Sequence, residues 1–178
     1  MSRIPCTPAD ITEPKEIVDV LRSRRGGGLL QLDRMLLHSP AFAKGWTALF
    51  TEIKTGSVLR PKLRELAACV VSQLNGADYG FQQHAPQFLH AGGTPQQVEA
   101  LRTPEVTGHD ERLFDAAERA TIRVAVEMTR NVRVSDVAFA ALREALPSDR
   151  HVVELTMVIA TFNMVSRFLV TLQVEMEP

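Results

Sequence analysis

The stretch whose reading decides the fold is Arg64 to His84, RELAACVVSQLNGADYGFQQH. Leu63, Leu66, Ala67, Val70 and Leu74 recur at intervals of three and four, which is the spacing of one buried helical face. Pro61 opens this helix and Asn75-Gly76 ends it. A second helix starts near Asp78, so the segment is predicted to be a helical hairpin. Glu65, Cys69 and Ser72 lie on a different stripe of the first helix. At the rise of an α-helix, Glu65 lies about 17 Å before the turn and His84 about 12 Å after it. The offset is about one helical turn, which two medium-length side chains nearly span. A carboxylate beside an imidazole orients the ring and forms a proton-transfer pair. The alternative is a buried Glu–His bond that pins two helices, since structural pairs also perturb titration.

Outward from the hairpin, everything reads as helix. Pro14 to Arg25 carries Ile17, Val20 and Leu21 on one side and stops at Gly26-Gly27-Gly28. No Lys-Ser/Thr follows those glycines, so they read as a turn and not as a phosphate loop. Leu29 to His38 is a second helical run. Ser39-Pro40 starts a third, with Phe42, Trp46, Leu49, Phe50 and Ile53 at helical spacing, read as core. Phe81, Ala85, Phe88 and Leu89 form the apolar side of the hairpin's second helix, which Pro86 is expected to kink or interrupt because it donates no N–H. Thr94-Pro95-Gln96-Gln97 has capping-box spacing and opens a short helix to Leu101. Thr103 to His109 reads as a loop. Asp110 to Thr129 follows as a helix with Leu113, Ala117, Ala120, Val124 and Met128 on one face. Ser135 caps another, with Ala138, Ala141, Leu142 and Ala145 inward, and a last helix runs from about Asp149 to Glu175. No alternating strand pattern survives. The expectation is an all-α bundle of about eight or nine helices in a single domain over 1–178, with residues 1–13 as an N-terminal arm.

Composition narrows the class of function. The chain has 178 residues, with 20 Lys and Arg against 21 Asp and Glu, so net charge −1 gives no general attraction to nucleic acid or anionic lipid. The two cysteines, Cys6 and Cys69, are far apart and make no disulfide framework, which suits a reducing cytoplasm. The N-terminus MSRIPCTPADITEPKEI lacks the apolar run of a secretory signal. Leu155 to Val174 is the most apolar stretch, but Asn163 and Arg167 interrupt it, so a core or subunit-interface helix is expected and not a membrane span. His38, His90, His109 and His151 show no metal-ligand spacing.

Three further positions are candidates. Tyr79 sits at the mouth of the hairpin, either as a hydroxyl donor to a substrate or as an ordinary packed tyrosine. Asn163 and Arg167 are one turn apart on an apolar helix. A buried guanidinium there requires an anion or carbonyl, supplied by another side chain or by a substrate carboxylate. Cys69, one turn from Glu65, reads as a small hydrophobe.

The chain resembles the carboxymuconolactone decarboxylase and alkyl hydroperoxidase D (AhpD)-like superfamily. Arg64-Glu65-Leu66 matches the opening of its motif, His84 the histidine of Cys-x-x-Cys-x-x-x-His, and Ala91-Gly92 before TPQQVEAL the closing turn. The likeness is specific over residues 59–101 and looser over Leu36 to Phe50 and the last helix. It implies an AhpD-like fold. The two redox-cysteine positions are Ala77 and Gly80, so the peroxidase chemistry of the wider family lacks its thiols here. The cysteine-free branch implies cofactor-free acid–base chemistry, with a lyase or isomerase acting on a small unsaturated substrate. In that reading His84 is the proton donor, Glu65 its partner and Tyr79 an accessory, with Arg64, Asn163 or Arg167 as holders of a substrate carboxylate. A homo-oligomer is also implied. A thiol peroxidase and a non-catalytic ligand-binding oligomer are the alternatives.

Overall fold

The computed structural model describes residues 2–177, and among these all regular structure is helical. Ten α-helices follow in order: α1 Lys15–Arg24, α2 Gln31–Leu36, α3 Pro40–Thr51, α4 Pro61–Leu74, α5 Asp78–His90, α6 Pro95–Ala100, α7 Pro104–Thr107, α8 Ala116–Asn131, α9 Asp136–Ala145 and α10 Asp149–Leu172. A π-helical turn, Glu52–Gly56, extends α3. The chain forms two compact units, one of residues 1–57 with 169–178 and one of residues 58–168.

In the first unit the N-terminal arm is tied down by its backbone. The Thr7 hydroxyl donates to the Arg34 carbonyl at 2.8 Å, Arg34 Nε returns a bond to the Thr7 carbonyl at 2.6 Å, and Arg22 reaches the carbonyls of Ala9 and Ile11. Asp33 is buried because Arg25 Nε and the Leu30 amide both donate to it. Two expectations change here. Val18, not Val20, joins Ile17 and Leu21 inside, and Val20 is exposed. The aromatic stripe of α3 is not core. Phe42 is 78% exposed, Trp46, Leu49, Phe50 and Ile53 are half-buried, and the inward face is Ala43 and Thr47. Helical spacing shows that a face is apolar; it does not show what covers it.

The second unit is built around α4. Leu63, Leu66, Ala67, Val70 and Leu74 are buried as expected, and so are Ala68, Cys69, Val71 and Ser72. The helix is thus enclosed on nearly all sides, packed mainly against α5 and α8. Gly76, at φ +62°, takes the left-handed turn that sends α5 back along α4. α5 runs unbroken through Pro86. The α6 capping box forms as expected, with the Gln97 amide donating to Thr94 Oγ1 and the Thr94 amide to Gln97 Oε1, each at 3.1 Å.

The segment after α6 differs from the sequence expectation. Pro104 starts the short helix α7 where a loop was expected, and α8 begins at Ala116 and not at Asp110. Asp115 caps α8: its carboxylate accepts from the Glu118 amide, and Glu118 Oε2 accepts from the Asp115 amide. A second acidic cap signal in the segment, Asp110, accepts instead from the amides of Arg112 and Leu113 in the preceding turn. Ser135 caps α9 as expected. α10 is long and apolar enough to span a membrane by length and composition alone. Val152, Leu155, Val158, Ile159, Phe162 and Val165 on it are nevertheless buried within protein.

Phe88 on α5 is the largest of the fully buried side chains among the described residues. Phe88→Ala is expected to destabilise the fold by about 3–5 kcal/mol, through lost transfer energy and the cavity left behind. Urea denaturation followed by circular dichroism measures it.

Candidate functional site

The hairpin brings together Glu65, Arg64 and His84. His84 Nδ1 donates to Glu65 Oε2 at 2.7 Å. An ionised carboxylate only accepts, so this contact places the proton on Nδ1 and leaves Nε2 as the ring nitrogen that can exchange a proton. Arg64 Nε donates to the other oxygen, Glu65 Oε1, at 3.2 Å. Both carboxylate oxygens therefore have a cationic or N–H partner. Phe162 of α10 meets the His84 ring edge-on, with centroids 4.7 Å apart, and fixes the plane of the imidazole. The Glu65 side chain is 13% exposed and that of His84 26%. The carboxylate is enclosed while the ring reaches the surface.

Burial pushes the Glu65 carboxyl up, but the bonds and charges of His84 and Arg64 outweigh it and hold the group below the usual carboxylate range. Cys69, one turn along α4, responds in the opposite way. Burial drives its thiol far up, and the negative charge of Glu65 adds to this. A thiol so held is a poor nucleophile at neutral pH.

The other candidate residues are placed as follows. Tyr79 is buried in the first turn of α5. Ala77 caps that helix and Gly80 is buried within it, so neither of the two motif positions carries sulfur. Asn163 is an interhelix pin: its Nδ2 donates to Thr129 Oγ1 of α8 and to the Ile159 carbonyl, and its Oδ1 accepts from Asn75 Nδ2 at the end of α4. Arg167 is exposed, and its Nη1 donates to the Asn163 carbonyl and to Asn163 Oδ1. Asn163 and Arg167 thus bond to each other, while Arg64 bonds to the Glu65–His84 pair.

Two contributors were not singled out from the sequence. Phe162 was hidden in an apolar run, where nothing distinguishes the one ring that meets an imidazole. Arg130 donates through Nη1 to the Leu74 carbonyl at 3.0 Å and through Nη2 to Glu105, closing the C-terminal end of α4. Its signal was a cation in the last turn of an amphipathic helix, a pattern shared by most helices.

The chain matches the model of the carboxymuconolactone decarboxylase family over residues 40–127. No curated protein matches it. Solved structures share the fold. A peroxidase-related protein from Ralstonia eutropha JMP134 described as an alkylhydroperoxidase AhpD core superposes with TM-score 0.83 at 18% identity, covering 99% of this chain and 92% of that one. An uncharacterised peroxidase-related protein from Silicibacter sp. TM1040 gives 0.80 at 21% identity, covering 98% and 90%. The debrominase Bmp8, as a cysteine-to-alanine variant in complex with 2,3,4-tribromopyrrole, gives 0.79 at 18% identity, covering 99% and 94%.

The depressed titration of Glu65 has a sign that can be checked. Its stabilising contribution is complete above the unfolded-state value and is lost as pH falls through the lower folded value, below about pH 5. Glu65→Gln is expected to be less stable than the parent at neutral pH, with the difference shrinking towards acid. Denaturation midpoints measured from neutral to acid pH test this.

Proposed function

Because the chain belongs to the carboxymuconolactone decarboxylase family, within the AhpD-like superfamily, we propose that it is a cofactor-independent acid–base enzyme. It acts as a lyase or isomerase on a small unsaturated substrate that carries a carboxylate. The observation behind this reading is the 2.7 Å bond between His84 Nδ1 and Glu65, with the imidazole reaching the surface and the carboxylate enclosed.

Glu65 holds the ring in one orientation. In a decarboxylation, the substrate's carbon–carbon bond breaks to release CO₂ and its electron pair passes into the conjugated system. Protonated His84 then gives its Nε2 proton to carbon and is reprotonated from solvent. In an isomerisation, neutral Nε2 removes a proton from one carbon and returns it to another, with no net change. A group working in this way contributes on the order of 10²–10⁴-fold to rate. Arg64, bonded to the pair, is the guanidinium assigned to the substrate carboxylate, and buried Tyr79 is an accessory donor. The bonds of Asn163 support a structural role for it.

Thiol chemistry is the weaker reading, because Ala77 and Gly80 occupy the motif positions and Cys69 is buried with its thiol pushed up. Cys6 and Cys69, both unpaired, fit a reducing cytoplasm. We also infer a homo-oligomer of identical chains: Val153, Met157, Ala160 and Met164 form an exposed apolar stripe along α10.

The activity is tested with a panel of unsaturated lactone acids and enoic acids. His84→Ala is expected to lose turnover by about 10²–10⁴-fold with its helical circular dichroism intact. The Cys6→Ser/Cys69→Ser double variant is expected to retain turnover, and loss of turnover there would return the assignment to sulfur. Sedimentation at micromolar concentration is expected to show more than one chain per particle, and Met157→Asp to shift it towards monomer.

A further inference from the structure

From Val153 to Arg167, α10 is open to solvent along a single line. Its exposed residues there are Val153, Met157, Ala160, Met164 and Arg167, and every residue between them is buried or half-buried. The exposed positions follow at intervals of four, three, four and three. That alternation averages 3.5 residues, the repeat of a coiled-coil seam, which is narrower than the stripe of a helix lying on a core. The core has already taken the other side of the helix, where Leu155, Val158, Ile159, Phe162 and Val165 are buried. Along the seam Val153 is 60%, Met157 49% and Met164 43% exposed. Apolar side chains left in water over successive turns mark a contact surface, and this one has the width of a helix.

The order of residues along the seam identifies the helix that fits it. Ala160, the smallest, stands in the middle with a methionine on each side. A large–small–large order reads the same in both directions, so a two-fold axis at Ala160 lets the seam pack on its own copy. The helices then approach closely at Ala160, and Met157 of each lies against Met164 of the other, where flexible thioether chains fill the remaining gap. Charge sets the direction. Arg167 is the one charged residue of the seam, and its Nη1 is turned to its own helix, to the carbonyl and Oδ1 of Asn163. Parallel helices would bring the two Arg167 side chains together, a like-charge contact. Antiparallel helices place Arg167 beside Val153 of the other copy, where its aliphatic stem covers the valine.

We propose that α10 pairs antiparallel with α10 of a second copy of this chain, across a two-fold axis at Ala160. The inference rests on the homo-oligomer proposed above and gives it a face and a direction. It also joins assembly to the candidate site. Phe162, which meets His84 edge-on, stands on the buried side of the same helix, so packing on the seam backs the helix that carries this ring.

The test is sedimentation equilibrium of the full-length protein and of its Val153→Asp and Val153→Lys variants. Antiparallel pairing brings Arg167 of one chain to position 153 of the other. Val153→Asp is therefore expected to associate at least about fivefold more tightly than Val153→Lys. In a parallel pair position 153 meets only itself, both variants repel alike, and equal weakening overturns the proposal. Val153→Cys in the Cys6→Ser/Cys69→Ser background is expected to form no interchain disulfide on mild oxidation, since antiparallel helices hold the two thiols roughly 20 Å apart. A disulfide-linked dimer of that variant also overturns the proposal, as does association left unchanged by Met157→Asp. A monomeric parent at micromolar concentration removes the oligomer itself, whereas an oligomer that fails these comparisons removes only the pairing.

Discussion

A carboxylate withdrawn from water must be given partners, and Glu65 is the carboxylate on which this hairpin depends. Left alone in a protein interior, the group would take up a proton. Here one oxygen faces the imidazole of His84 and the other the guanidinium of Arg64. The result is a negative charge stable enough to orient a ring that itself reaches solvent. The asymmetry in exposure matters chemically, because the charge is shielded from water's screening while the ring it orients stays partly accessible.

The surrounding helices supply rigidity for this arrangement. α4 is enclosed on nearly all sides, and its C-terminal end is closed by bonds from other elements. Arg130 donates to the Leu74 carbonyl, and Asn75 donates to Asn163, whose own amide reaches α8. Free carbonyls at a helix end need such donors. Arg130 of α8 meets that need, and Asn163 of α10 accepts from Asn75, so the end of the hairpin where α4 turns into α5 is fixed by both helices. Asn163 and Arg167, which look like a substrate clamp in an apolar helix, owe much of their placement to this framework.

Much of the fold was legible in the sequence because the signals were local. Pro61, Asn75-Gly76 and the Thr94–Gln97 box each carry their own backbone logic, and the elements they bound appear where expected. The Glu65–His84 meeting was also legible, since counting helical rise from one turn needs no knowledge of the rest of the chain. What could not be read depended on distant neighbours. The α3 aromatics are apolar at helical spacing, yet Phe42 lies open, because the choice between Phe42 and Ala43 as the inward side is made by packing. Phe162 and Arg130 were invisible for the same reason. The start of α8 is an exception: Asp115 and Glu118 form a local capping box, which a start at Asp110 overlooks.

The 2.5 Å gap between an imagined β-carbon at position 80 and the oxygen of Ser72 bears on the sulfur missing there. Gaining sulfur at that position means gaining a β-carbon first, and the Ser72 hydroxyl opposite has to turn aside to admit it.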